Sequence, residues 1–164
     1  MKAIVYVSNT GHTKSYAEML SRATGLSAYS LDDAISKLDK GCEIIYMGWL
    51  FAGTLKCYKK AAKRFKIIAV YGVGLGDTGS QTDTVRKSAG IQREIPLFTL
   101  QGGIERSALR GINKFMIDML IKMMMKKQDK TEDDERMLYL LTHDASYVSE
   151  ENLSEVLKWY KRGS

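Results

Sequence analysis

Over its first hundred residues the chain alternates short, nearly continuous apolar runs with stretches in which apolar residues recur every three or four positions. Four runs have the length and the β-branched or aromatic content of strands: AIVYVS (3–8), EIIYMGW (43–49), KIIAVYG (66–72) and IPLFTLQG (95–102). LSAYSL (26–31) is a weaker fifth. Between them, Tyr16, Ala17, Met19, Leu20 and Ala23 share one face of a helix that starts within Thr10 to Thr13 and that Gly25 is placed to end. A shorter helix is predicted from Asp32 to Leu38, capped by Asp32 or Asp33, a third from Lys56 to Phe65 and a fourth from Gln81 to Ala89. This alternation predicts an α/β fold with a parallel sheet covered by helices on both faces, and strands without polar alternation fit its central positions.

The alternation stops after residue 104. Leu109, Ile112, Phe115, Met116, Met119, Leu120, Met123 and Met124 repeat at helical spacing, which predicts one long amphipathic helix. The charged linker KKQDKTEDDE ends it, Thr131 is placed to cap a second helix through Leu141, and Ser149 to start a third carrying Leu153, Val156, Leu157 and Tyr160. No strand is expected in this part. A length of 164 residues suits one well-buried core, so a single domain is expected over 1–164, with sheet and covering helices in 1–104 and a helical C-terminal part in 105–164.

Composition narrows the class. An apolar content of 45% with a single proline excludes a disordered chain. Lys114, Asp118 and Lys122 interrupt the richest apolar stretch before it reaches the ~18 residues of a membrane span. The opening MKAIVYV is strand-like, without a basic leader or cleavage site, and Cys42 and Cys57 show neither CxxC nor Cys/His spacing. A cytoplasmic protein with reduced thiols and no metal is the expectation. The formal charge of +6 lies wholly in residues 1–104, with 14 Lys/Arg against 8 Asp/Glu, since residues 105–164 hold 11 of each. Its densest piece, KCYKKAAKRFK (56–66), is either a solvated helix face or a site for anions, acidic partners or lipid headgroups. No helix-turn-helix, RNP or zinc-finger pattern accompanies the charge, so nucleic acid is not expected as a partner.

The stretch with the most chemistry is VSNTGHTKSYA (7–17). A strand that ends in Ser, Thr and Gly and runs straight into a helix aims several backbone amides at one point, with the positive end of the helix dipole behind them; phosphate fits there. Ser8, Thr10 and Thr13 add hydroxyls, Asn9 an amide and His12 a ring nitrogen, while Gly11 permits a left-handed backbone. The plainer reading is a helix cap with surplus polar residues. No GxxxxGK[ST] or CxxxxxR phosphate loop occurs, and GVGLGD (72–77) puts Asp77 where the third glycine of GxGxxG belongs.

SNTGHT resembles the FMN phosphate loop of flavodoxins, and TKSYAEML resembles the helix that follows it. GWLFAGT and YGVGLGDTGS fall where flavodoxins place their ring-binding loops, so the resemblance covers most of residues 1–104. The segment GGIERSALRGINKFMIDMLIKMMMKK is similar, more loosely, to that after the fifth strand of flavodoxin-type protoporphyrinogen oxidases. The resemblance implies a flavodoxin-like three-layer sandwich with a five-stranded parallel sheet of order 2-1-3-4-5, FMN at the switch point between strands one and three, and a helical C-terminal extension. It also assigns residues. Ser8, Asn9, Thr10, Gly11, His12 and Thr13 hold the phosphate. Trp49, Leu50, Phe51, Ala52, Gly53 and Thr54 cover one ring face, with Gly53 free to turn a carbonyl toward the flavin N5. Gly72, Val73, Gly74, Gly76, Asp77 and Gly79 line the other side and the pyrimidine edge.

The chain departs from that pattern in ways that bear on activity. Ala52 stands where many flavodoxins have a stacking tryptophan, and the second loop has no aromatic residue. A less covered flavin is open to a substrate. Electron-carrying flavodoxins are generally acidic, whereas this chain is basic. The expectation is an FMN-dependent electron-transfer protein that works with a redox partner protein or a small acceptor such as a quinone. An oxidoreductase of the protoporphyrinogen oxidase or quinone reductase type is the first alternative, and a phosphate-binding module of the same fold without flavin the second. The methionine-rich helix, with Arg106, Arg110, Lys114, Lys122, Lys126 and Lys127, is core, a homodimer interface, or a rest on an anionic membrane.

Overall fold

The apolar runs become strands of one sheet in the protein's structure, a computed structural model that describes residues 2–163. Strands β1 (Ala3–Val7), β2 (Ala28–Ser30), β3 (Glu43–Phe51), β5 (Lys66–Gly74) and β6 (Leu97–Gln101) run parallel in the order β2-β1-β3-β5-β6. The two-residue β4 (Thr54–Leu55) folds back antiparallel on the end of β3. This is the flavodoxin-like 2-1-3-4-5 order with one short hairpin strand added, and flavodoxin is the type case for it.

Burial explains the continuous apolar runs. Ile44, Ile45, Tyr46 and Met47 at the centre of β3 are all inaccessible to solvent, because helices cover both faces. On one face Ile4, Ile45, Met47, Tyr71 and Leu100 pack against α1 (His12–Thr24) through Tyr16 and Leu20, and against α7 (Ser154–Arg162) and the turn before it through Val156 and Leu153. On the other, Val5, Ile44, Tyr46 and Val70 meet α2 (Leu31–Lys37), α3 (Tyr58–Arg64) and α4 (Thr82–Ala89) through Ala34, Ala61 and Val85. A register shift opposite Ile44 and Ile45 leaves Ile68 as an extra residue in β5, so Ile67 and Val70 both reach this second face.

Ser30, rather than Asp32 or Asp33, caps α2. Its Oγ accepts from the Asp33 amide at 3.2 Å and donates to the Asp33 carboxylate at 2.7 Å, so the helix begins one residue early and both aspartates sit in its positive first turn. The basic run 56–66 is largely spent on structure. Arg64 donates to the carbonyls of Ile35 (3.2 Å) and Leu38 (2.7 Å) at the end of α2, while Lys60 pairs with Asp32 and Lys66 with Glu43.

Past β6 come α5 (Gly111–Lys126) and α6 (Glu132–Thr142), and Thr131 with Asp134 forms the capping box of α6. Helix α7 begins at Ser154, after a 3-10 turn over Glu151–Leu153, and not at Ser149. The expected absence of strands here is also corrected. β7 (Gly103–Ile104) and β8 (Ala145–Ser146) form an antiparallel ladder that clips together the two ends of the α5–α6 hairpin. Two-residue strands carry no period for a sequence to display.

Candidate functional site

A cavity of about 460 Å3 opens at the carboxyl ends of β1, β3 and β5, within the range of small-molecule sites and where doubly wound sheets bind ligands. One end is formed by the loop after β1. Gly11 takes φ 96°, a left-handed backbone that favours glycine, and becomes the N-cap of α1. Its amide donates to Ser8 Oγ at 3.2 Å, and its carbonyl accepts from both the amide and the Oγ of Ser15, at 2.9 and 3.2 Å. The loop is thus closed on itself, while Ser8, Asn9, Thr10, His12 and Thr13 line the cavity. The first turn of α1 holds no acidic residue, whereas that of α6 holds Glu132, Asp133, Asp134 and Glu135. The chain compensates the positive end of α6 with its own carboxylates, whereas that of α1, like those of α3 and α5, has none in its first turn.

His12 lies beside Gly102 and Gly103, with Thr10 Oγ1 2.9 Å from its Nδ1. Burial holds its pKa below the usual 6.5, opposed more weakly by the charge of Glu105. The ring is therefore neutral at pH 7, with one nitrogen a donor. Because the folded pKa is below the unfolded one, the unfolded chain takes up the proton first as pH falls. Stability is complete above about 6.5 and declines below it. We expect the urea midpoint to drop more between pH 7.5 and pH 5.5 in the native protein than in His12→Gln; equal drops would show that His12 does not titrate on unfolding.

The other end is apolar. Trp49, Leu50 and Phe51 do not form a loop; they continue β3, and the turn is only Ala52 (φ 46°) and Gly53 (φ 74°), the pair of left-handed residues a two-residue hairpin requires. Trp49 and Phe51 meet edge to face at 6.2 Å, with the Lys56 ammonium 5.1 and 5.2 Å from the two rings. The Gly53 carbonyl accepts from Ser88 Oγ at 2.6 Å, so turning it inward would break this bond.

Glycines of the β5 loop have structural duties as well. Leu50 lies over Gly72 and Gly74, where an added Cβ would come within 3.1 and 3.2 Å of it. Val73, Gly74 and Gly76 line the cavity; Gly11, Thr54, Gly72, Asp77 and Gly79 do not. Asp77 faces outward to α6, where Arg136 donates to both its oxygens at 2.6 and 3.0 Å and holds its carboxyl below the usual range.

The remaining wall was not anticipated. Ile104, Ile117, Leu120, Met124, Met137 and Leu141, from β7, α5 and α6, close the apolar end, and Leu75, Gln81, Thr84 and Gly103 complete the lining. Among the described residues, no charged side chain lines the cavity. Lys114, Asp118, Lys122 and Lys126 mark one charged side of α5, and apolar residues take most of the rest of its circumference. Ile117 and Ile121 turn inward, while Ile112, Phe115, Met119 and Met123, members of the predicted stripe, are each more than half exposed. Among the described residues, no cluster of His, Cys, Asp or Glu is fit to hold a metal ion, and no helix is long and apolar enough to cross a membrane. No protein-family model matches the chain, and no curated protein matches it.

Proposed function

We propose that the protein is an FMN-binding redox protein. The observation that carries the reading is the two-ended cavity: hydroxyls, amides and a carboxylate-free helix N-terminus at one end, aromatic and aliphatic walls at the other. Its complement is a flat, largely apolar ring system on a short polar chain ending in phosphate. The residues present suit FMN. Ser8, Thr10, Thr13 and the α1 amides would hold the phosphate without a cation, and Trp49 and Phe51 offer ring surfaces, each stacked pair worth about 1 kcal/mol beyond burial. Bound there, FMN would supply the hydride or single-electron chemistry. The chain's own residues would fix its position, exclude water and limit who reaches it.

The α5–α6 wall favours one version of this reading. It narrows the ring end to an apolar chamber, which suits a small acceptor such as a quinone better than a docked protein, and so supports the oxidoreductase over the pure carrier. A cytoplasmic location goes with this reading. Titrating the ligand-free protein with FMN and with riboflavin tests it. We expect FMN to bind at least tenfold more tightly, since only FMN engages the loop after β1. Equal affinities would remove the phosphate assignment, and phosphate binding without flavin binding would leave the flavin-free module.

A further inference from the structure

Residues 105–144 leave the domain and return to it through one neck. There Gly103 and Ile104 pair with Ser146 and Ala145, the Arg106 amide donates to the Asp144 carboxylate at 2.7 Å, and the Arg106 guanidinium donates to the Leu141 carbonyl at 2.9 Å. Beyond the neck, the hairpin holds itself together. Leu109, Ile117, Ile121 and Leu141 form an apolar cluster distinct from the two that flank the sheet, Arg106 and Lys114 both pair with Asp118, and Lys127 pairs with Asp134 near the turn.

Its grip on the rest of the domain is lighter. Phe51 and Leu75 pack at the margin of its cluster, Asn113 donates to Asn9 Oδ1 at 3.0 Å, Lys56 Nζ reaches Met116 Sδ at 4.0 Å, and Arg136 pairs with Asp77 through side chains that are 58% and 56% exposed. All but the Lys56 contact fall on segments that line the cavity, at Asn9 in the loop after β1, Phe51 at the end of β3, and Leu75 with Asp77 in the loop after β5. The same hairpin supplies the cavity's apolar wall through Ile117, Leu120, Met124, Met137 and Leu141.

We infer that α5–α6 is a lid over the cavity, hinged at the β7–β8 neck and latched shut by the Asp77–Arg136 pair. A body with a core of its own, one covalent neck and few outside ties, of which, among the described residues, only the Asp77–Arg136 pair is a salt bridge, opens as a unit at lower free energy than the sheet beneath it unfolds. Its apolar underside keeps it closed at rest, and the latch adds a salt-sensitive increment. A ligand that orders the loops after β1, β3 and β5 stabilises the surfaces on which the lid closes, so ligand and closure favour each other. The inference rests on the reading of the cavity as a ligand site, and its first test does not need the flavin.

Amide hydrogen exchange on the ligand-free full chain is the measurement, in the native protein and in Arg136→Ala. Amides of α5 and α6 should exchange at one common rate, faster than those of β1, β3 and β5. Arg136→Ala should raise that rate about threefold and leave α1 unchanged. Raising NaCl from about 0.05 to about 0.5 M should speed lid exchange in the native protein and not in the variant. Independent rates for α5 and α6, exchange no faster than the sheet, or no effect of Arg136→Ala would overturn the lid. Saturating FMN should slow lid exchange. If FMN binds and lid exchange is unchanged, the lid is wrong; if FMN does not bind while the other results hold, the lid stands and the flavin reading falls.

Discussion

Replacing Thr10 and Thr13 together with alanine is expected to weaken FMN binding by about 100-fold. A hydrogen bond to a charged group contributes about 1.5–3 kcal/mol, so losing a pair of them costs about 3 kcal/mol, which is the stated factor. Both residues line the polar end of the cavity, which has no lysine or arginine to take over, and Thr10 also steadies the His12 ring. Thr13 is only 2% exposed, so a thermal melt must accompany the titration. Thr13→Val, which keeps the side-chain shape, separates lost packing from the lost hydroxyl. Riboflavin affinity should change far less than FMN affinity. A double variant that folds and binds FMN within about threefold of the native protein would end the assignment of this loop to phosphate.

Gly103→Ala should be the most damaging single methyl in the chain's neck, lowering stability by about 3 kcal/mol and the melting temperature by roughly 6–12 °C. The reason is contact and not backbone angle. A Cβ on Gly103 would sit 2.1 Å from the Ala145 carbonyl oxygen across the β7–β8 ladder and 2.8 Å from His12 Nε2. The carbonyl is backbone, unable to swing aside like the tip of a long side chain, so the ladder must separate. Gly25→Ala is the informative contrast: its φ of 72° is left-handed but its surroundings are open, and it should cost only about 1 kcal/mol. Differential scanning calorimetry on both variants decides the matter. If Gly103→Ala melts within about 2 °C of the native protein, the neck is looser than the ladder implies. Since the same ladder carries α5–α6, ligand affinity should fall in Gly103→Ala and stay unchanged in Gly25→Ala.

The sheet was open to reading because its signals are local. Strand-length apolar runs, a Gly11 before α1, Gly25 and Gly90 after α1 and α4, and the Thr131 cap of α6 each act within a few residues of where they stand. Even the errors are local. Ser30 competes with Asp32 and Asp33 for one cap, and the serine with extended backbone wins because an N-cap must itself lie outside the helix. The strands β3 and β5 outrun their predicted ends at Trp49 and Gly72, because Leu50 and Phe51 go on to pair with β4, and Val73 and Gly74 with β6.

Local periodicity is enough, then, for the α/β alternation, the parallel sheet and the polar loop between β1 and α1. It does not reach the cavity's other end. The apolar face of α5 is wide, spreading well beyond the side opposite Lys114, Asp118, Lys122 and Lys126, and nothing within its own sixteen residues says that Ile117, Leu120 and Met124 will look into the cavity while Phe115, Met119 and Met123 look out. That choice belongs to the neck: the pairing of Gly103 and Ile104 with residues some forty positions later sets where the hairpin begins and which way it turns. Asp77 and Arg136, 59 residues apart, meet for the same reason. Contacts at such separations are decided by how the chain closes in space, and the wall, the latch and the shape of the cavity are all built from them.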